Sequence, residues 1–374
     1  MKWFGSFLLV TFLASSLVNG QTLSKDKTTR DVILSGGFHF GKSIKHTSKF
    51  NPDFPGYAIA AEFSMGVTTN GKQHWHHRYR FPEIGGTLFY IDYGNNSVLG
   101  RGASLSPYIS FPVIRSEIYK FHIRLSSGLA LISKNYDVIN NAENNVIGTR
   151  LNSTAQLKFI NTLKLSERWA LQAALAFTHF SNGNIQKPNL GINSLTGNVA
   201  LQYRPNDNPK TYDVDNEKPY LKRFHGMLRT GIAINDGQTT DGSKYVIYSV
   251  TGAVAKQISR FNRVLIGADY EYRSDRYVAL RANITRQDEI SRMDVSRISV
   301  FIGDELIFGN FALSLNMGVY VNKFEGKPFF LYNKNGVVYY VPVQKNKPSL
   351  YIGIYLKSHF AIADYFEYGL GYIF

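Results

Sequence analysis

From residue 31 onward the chain repeats one pattern, segments of about 10 to 15 residues with apolar side chains at alternate positions, separated by turn residues. A strand has a side-chain period of two, so each segment predicts a strand with one bulky apolar face and one small or polar face. Eight such segments fall near 31–41, 57–69, 83–93, 99–112, 118–133, 152–165, 168–182 and 193–204. Residues 205–219 interrupt the pattern with polar side chains and three prolines, which predicts a loop or linker. Eight more follow near 220–236, 243–257, 261–274, 276–286, 297–306, 308–322, 348–358 and 360–374. The Asn-Gly pair in Lys334-Asn335-Gly336 predicts a shorter hairpin between them. The last segment shows the alternation best: Phe366, Tyr368, Leu370, Tyr372 and Phe374 share one face, Glu367, Gly369, Gly371 and Ile373 the other.

Strands of this length, apolar on one face, predict an all-β, antiparallel transmembrane barrel of the outer-membrane type. A single sheet must close and even strand counts prevail, so one barrel of roughly 14 to 18 strands is the simplest architecture. The alternative is an eight-stranded barrel over residues 31–204 and a second barrel over 220–374, divided by the linker. The start of the chain fits export: Lys2, an apolar run from Trp3 to Leu13, then Val18-Asn19-Gly20 before Gln21. Residues 1–20 read as a signal peptide, since the apolar run is shorter than the ~20 residues that span a bilayer. Residues 21–30 read as a flexible lead-in. Glu367, Gly369, Tyr372 and Phe374 resemble the C-terminal signal of outer-membrane barrels, which implies recognition of the Phe374 end by the barrel assembly machinery.

Composition agrees with this reading and narrows the chemistry. The chain has 24 Tyr, 26 Phe and 32 Gly but no cysteine, which removes disulfide, thiolate and Cys-zinc chemistry. A formal charge of +15 calls for anionic surroundings. For an exported barrel these are lipopolysaccharide phosphates and outer-membrane lipids, not nucleic acid. Basic loops and rims would account for the same charge without a specific partner.

The candidate chemistry sits at the end of the seventh segment. Trp169, Leu171, Ala173, Leu175 and Phe177 share a face with His179 and Ser181, whereas Gln172 and Thr178 lie on the other. The bulky apolar row should face lipid, so His179 and Ser181 point outward at one membrane edge. On the eighth segment Asn193 precedes a similar row, Leu195, Val199, Leu201 and Tyr203, interrupted by Gly197. Polar groups on a lipid face are costly without partners or purpose. A hydroxyl beside an imidazole oriented by a third group is the arrangement of a serine esterase.

Thr178-His179-Phe180-Ser181-Asn182-Gly183 with Pro188-Asn189-Leu190-Gly191-Ile192-Asn193 resembles PagL, the outer-membrane lipid A deacylase family, which carries a His-x-Ser-Asn run followed by Pro-Asn-x-Gly-x-Glu. The resemblance spans residues 31–204. It implies Ser181 as nucleophile, His179 as base and then acid, and lipid A as substrate, with no metal or organic cofactor. Asn189, through its side-chain amide, and the backbone N–H of Asn184 would bind the oxyanion, and Asn182 would support the motif. The pattern departs at Asn193, where the family carries Glu. No acidic residue lies between Glu167 and Asp207, so the expected triad is Ser-His-Asn. The alternative function is a non-catalytic barrel acting as a porin, transporter or surface-binding protein.

Other motifs have plainer readings. His74, His76 and His77 around Trp75 could offer metal ligands, but on a strand His76 and His77 would diverge, which favours a loop cluster. Arg78-Tyr79-Arg80 fits a basic aromatic rim, and Asn140 to Asn145 with Gly148 an exposed loop.

Overall fold

The computed structural model describes residues 31–205, 212, 223–237, 243–283, 290–322, 330–342, 349–360 and 362–374. The signal peptide, the lead-in and nearly all of the linker lie outside the described residues. Eight antiparallel strands form the first closed barrel: β1 (Val32–Ile44), β2 (Ala58–Thr68), β3 (Glu83–Asp92), β4 (Arg101–Arg115), β5 (Tyr119–Ile132), β6 (Leu151–Lys164), β7 (Trp169–Ser181) and β8 (Ile192–Tyr203). It closes where β1 pairs with β8, from Leu34 opposite Tyr203 to Ile44 opposite Asn193. The second barrel comprises β9 (Phe224–Asn235), β10 (Tyr245–Gln257), β11 (Asn262–Arg273), β12 (Ser296–Phe308), β13 (Phe311–Tyr320), β14 (Leu331–Tyr340), β15 (Ser349–His359) and β16 (Ile362–Ile373). It closes through β16 and β9, and Phe374 exchanges backbone hydrogen bonds with Gly226. The architecture is therefore the two-barrel alternative, not one wide ring. Each set of eight strands finds its own last-to-first pairing, which leaves no free edge to join the other.

Two expected elements differ. The segment expected at 276–286 is not a strand over its described residues, 276–283: Ser274–Asn283 form a helix, α2, with α1 being the short His74–Arg78 turn between β2 and β3. Four contiguous side chains, Tyr277-Val278-Ala279-Leu280, break the period of two, and Asp275 and Arg281 sit at the ends of α2 that favour their charges. Asn335-Gly336 is no turn but the middle of β14, whose alternation supplies the missing strand. Glycine is required there because a Cβ at Gly336 would overlap the Ile354 carbonyl oxygen and lie 2.6 Å from Cδ1 of the inward Tyr355 ring.

The walls are inverted relative to a water-soluble barrel. Phe38, Phe63, Leu88, Leu175 and Val199 on the first barrel, and Ile232, Val250, Ile302 and Leu370 on the second, are exposed on the outside. The interiors are polar and charged. Glu62 lies 2.8 Å from Lys158 and 3.2 Å from His39, and Arg124 stacks 4.0 Å from the Tyr108 ring centroid. In the second barrel Glu367 pairs with Lys334 at 2.7 Å and Arg229 at 3.1 Å, while Lys357 pairs with Glu271. Apolar outside and polar inside is the pattern of a barrel solvated by lipid. Paired charges fill the lumens, because an ion buried there without a partner would be strongly destabilising.

The end of the first barrel that carries the β7–β8 loop is called the upper end. Beneath its loops lies an apolar cluster that includes Phe50, Tyr93, Leu99, Ile132, Val146, Ile147, Phe180 and Ile192. At the lower end α1 packs against the second barrel, with the Tyr79 ring 4.9 Å from Phe308 and the Trp75 ring 6.1 Å from it. The three histidines are thus on a helix rather than a strand. Gly71 N–H donates to His76 Nδ1 at 3.1 Å, and His77 Nε2 donates to Gly71 O at 2.8 Å. The Asn140–Asn145 loop is only partly exposed: Asn144 is fully buried and donates to the carbonyls of Val98 and Lys134.

Candidate active site at the upper end of β7 and β8

The alternation of β7 places its odd-numbered side chains outward. Thr178 and Phe180 are buried inside, so His179 and Ser181 must lie on the outer wall above Phe177, Leu175 and Leu171. On β8 the inward Ile192 and Ser194 flank the outward Asn193 in the same way. Register sets His179 directly opposite Asn193. These two side chains meet: His179 Nδ1 and Asn193 Oδ1 are 2.6 Å apart. An amide oxygen only accepts, so Nδ1 carries the proton and Nε2 is left as a base.

The wrong end of the Asn193 amide could in principle face the imidazole. A residue that the sequence reading did not identify opposes this. The Asn193 Nδ2 amide group donates to Nδ1 of His46, 3.0 Å away in the β1–β2 connection, and the exposed His46 ring rests edge-on against Phe50 at 5.0 Å. Its only sequence signal is position, two residues beyond Ile44, the register partner of Asn193.

Ser181 Oγ and His179 Nε2 make no hydrogen bond among the described residues, to each other or elsewhere. Two residues along a strand are separated by roughly 6.6 Å, so a change of side-chain torsion is needed to join them. Their backbone is fixed by β6, where the Ser153 hydroxyl donates to Ser181 O at 2.8 Å and the Thr154 hydroxyl to His179 O at 3.1 Å. Gly191 lies over the imidazole with φ +79, and a Cβ there would come within 2.7 Å of His179 Cε1.

The loop from Asn182 to Gly191 brings the three other asparagines close to Ser181. Asn182 N–H donates to Asn189 Oδ1 at 3.0 Å, which fixes the Asn189 amide and leaves its Nδ2 group with no hydrogen bond among the described residues. Asn184 adopts φ +68, and its backbone N–H is likewise unspent. Asn182 donates through Nδ2 to Gln186 O at 2.7 Å and so closes the loop on itself. Gly191 N–H donates to the buried Val146 carbonyl at 3.0 Å, tying the far side of the loop to the apolar cluster. The arrangement offers an oriented imidazole base, a hydroxyl on the same face and two vacant N–H donors. These are the parts that acyl transfer from an ester requires.

Residues 59–202 match the family model described as lipid A 3-O-deacylase (PagL), and residues 222–374 match the one described as acyloxyacyl hydrolase, C-terminal domain. The two matches follow the two barrels. Among solved structures, the outer membrane enzyme PagL is similar at 14% identity over 44% of this chain and 97% of that one, with a TM-score of 0.33. Neisserial surface protein A is similar at 10% identity over 46% of this chain and 96% of that one, with a TM-score of 0.31. The beta domain of the Bordetella autotransporter BrkA is similar at 9% identity over 92% of this chain and 99% of that one, with a TM-score of 0.23. No curated protein matches the chain.

Proposed function

The chain belongs to the PagL family, one barrel matching its deacylase model and the other the acyloxyacyl hydrolase C-terminal model, and on that premise we propose a serine esterase of the outer membrane that removes an ester-linked acyl chain from lipid A. The observation that carries the reading is the 2.6 Å contact between His179 Nδ1 and Asn193 Oδ1 on the outer wall of the barrel, beside Ser181. A nucleophile that faces lipid at the upper edge of an apolar belt can reach an acyl ester without drawing the substrate into a lumen. The charge of +15 suits a phosphorylated glycolipid.

In the proposed reaction His179 Nε2 takes the Ser181 Oγ proton as Oγ attacks the ester carbonyl. The tetrahedral oxyanion is bound by Asn184 N–H and Asn189 Nδ2, both without a hydrogen bond among the described residues. Collapse breaks the bond to the sugar oxygen, which takes the proton from Nε2, and leaves an acyl group on Ser181. Water, deprotonated by the same nitrogen, then attacks the acyl-enzyme; the bond from the acyl carbon to Ser181 Oγ breaks, Oγ takes that proton back from Nε2, and the fatty acid is released. Asn193 holds the tautomer throughout but adds no negative charge to the imidazolium, so turnover rests on orientation more than on charge. The open Ser181 to His179 distance belongs to the substrate-free state, since such contacts often tighten only when substrate binds.

Mass spectrometry of lipid A from cells with and without the protein tests the proposal. A mass loss of one ester-linked acyl chain is expected, and Ser181→Ala or His179→Ala should each abolish it. An unchanged spectrum with folded protein present refutes it.

A further inference from the structure

The loop that supplies the oxyanion donors is held from both sides, and one side belongs to the other barrel. Asn184 is in the left-handed region, which asparagine enters more readily than other non-glycine residues and which its surroundings hold here. Those surroundings are residues of the second barrel. Asp236 N–H, just past β9, donates to Asn184 O at 3.2 Å, and Asn184 Nδ2 donates to Asp364 O of β16 at 3.2 Å. The Phe366 ring packs so closely on Gly183 that any Cβ there would overlap it. Three residues beyond Asn184, Lys187 N–H donates to Asp236 Oδ2 at 2.7 Å, and the Lys187 ammonium donates to Gly237 O.

The anchors are themselves fixed. Asp236 is 1% exposed, with Lys244 3.0 Å from its other oxygen, and the Asp364 carboxylate is clamped by Arg273 at 2.6 Å and Arg297 at 3.0 Å. The rim of the second barrel thus holds one side of the loop, opposite the Gly191 tie to Val146.

We propose that the second barrel is a positioning element of the catalytic site, setting the Asn182–Lys187 backbone, and with it the Asn184 N–H, through Asp236, Asp364 and Phe366. The inference rests on the reading of Ser181 as nucleophile and Asn184 as oxyanion donor. None of the three anchors need touch substrate. They act on the transition state through the loop, so their loss should lower kcat and spare KM.

The test uses the full-length chain in proteoliposomes containing lipopolysaccharide, with circular dichroism to verify folding. Asp236→Ala removes the acceptor of Lys187 N–H. It should lower kcat by roughly 10- to 100-fold, the effect of displacing a donor by up to about 1 Å, leave KM within about twofold, and speed amide exchange across residues 184–187. Asp236→Asn keeps an acceptor oxygen and should restore most of the rate. Phe366→Ala, which leaves every hydrogen bond in place, should give a smaller loss of the same kind. Wild-type kcat in folded Asp236→Ala, or an equal loss in Asp236→Asn, overturns the proposal. Ser181→Ala sets the baseline: a wild-type rate no higher than this baseline overturns the catalytic reading, and the positioning role with it.

Discussion

Gly191→Ala is the sharpest single perturbation of the site, because it touches the base without removing any reacting group. An added Cβ would stand 2.7 Å from His179 Cε1 and 3.0 Å from Phe180 O. Carbon atoms in contact prefer about 3.5 to 4.0 Å, so the imidazole must move by roughly 1 Å. The backbone cannot yield instead, since Gly191 N–H is bonded to Val146 O and its φ of +79 already disfavours any other residue. Misplacement by about 1 Å costs on the order of 10²-fold in rate, equivalent to about 2.7 kcal/mol of transition-state stabilisation. The left-handed alanine adds roughly 1 to 2 kcal/mol of strain. That strain is local to a loop and leaves the ladder of the barrel whole. Release of fatty acid from lipopolysaccharide by the purified variant, beside a thermal unfolding scan, separates the two effects: kcat should fall about 100-fold while the folded barrel persists. A folded Gly191→Ala protein that turns over at the wild-type rate would refute the placement of His179 as base.

The orienting chain beyond His179 makes further predictions. His46→Ala removes the acceptor that fixes the Asn193 amide, a hydrogen bond of about 1 kcal/mol, so kcat should fall about fivefold; an unchanged rate would show that the amide needs no such clamp. Asn193→Asp keeps the geometry and adds charge beside the imidazolium, and kcat should rise, whereas a fall would mean that the neutral amide is required. At the opposite end of the barrel, burial and the neighbouring His77 push His76 down to about 4 from its ordinary 6.5. The unfolded loop therefore binds more protons between these values, so its stability declines as pH falls from about 6.5 to about 4 and levels off below. Amide exchange over residues 70–81, corrected for intrinsic rates, should accelerate in that window for the wild type and not for His76→Gln.

Much of the fold was legible because a period of two is hard to hide over a dozen residues. The parity that placed His179, Ser181 and Asn193 outside came directly from their spacing to Phe177 and Leu195. Closure was not legible. Strand patterns do not record which edge a last strand will pair with, and β8 meeting β1 rather than β9 is a property of register and curvature. Asn335-Gly336 misled because a strong turn pair can sit in a strand when a ring such as Tyr355 needs the room. Residues 276–286 misled because contiguous apolar side chains fit a strand buried on both faces as well as a helix. His46 escaped notice for a different reason: it joins the site through a loop, where sequence distance from Asn193 says nothing about space.

The replacement of Glu by Asn at position 193 looks at first like a lost function, and the geometry argues otherwise. A carboxylate orients a histidine from either oxygen, so it needs no further partner to choose its face. An amide needs one, and His46 supplies it by accepting from the nitrogen end, which turns the oxygen end toward His179. The neutral amide also avoids placing a full charge at the edge of an apolar wall, where desolvation makes a carboxylate costly. On the proposed reading, Asn193 with His46 keeps Nε2 available as the base at the cost of electrostatic help, and the rate difference between Asn193→Asp and the native residue measures how large that help would have been.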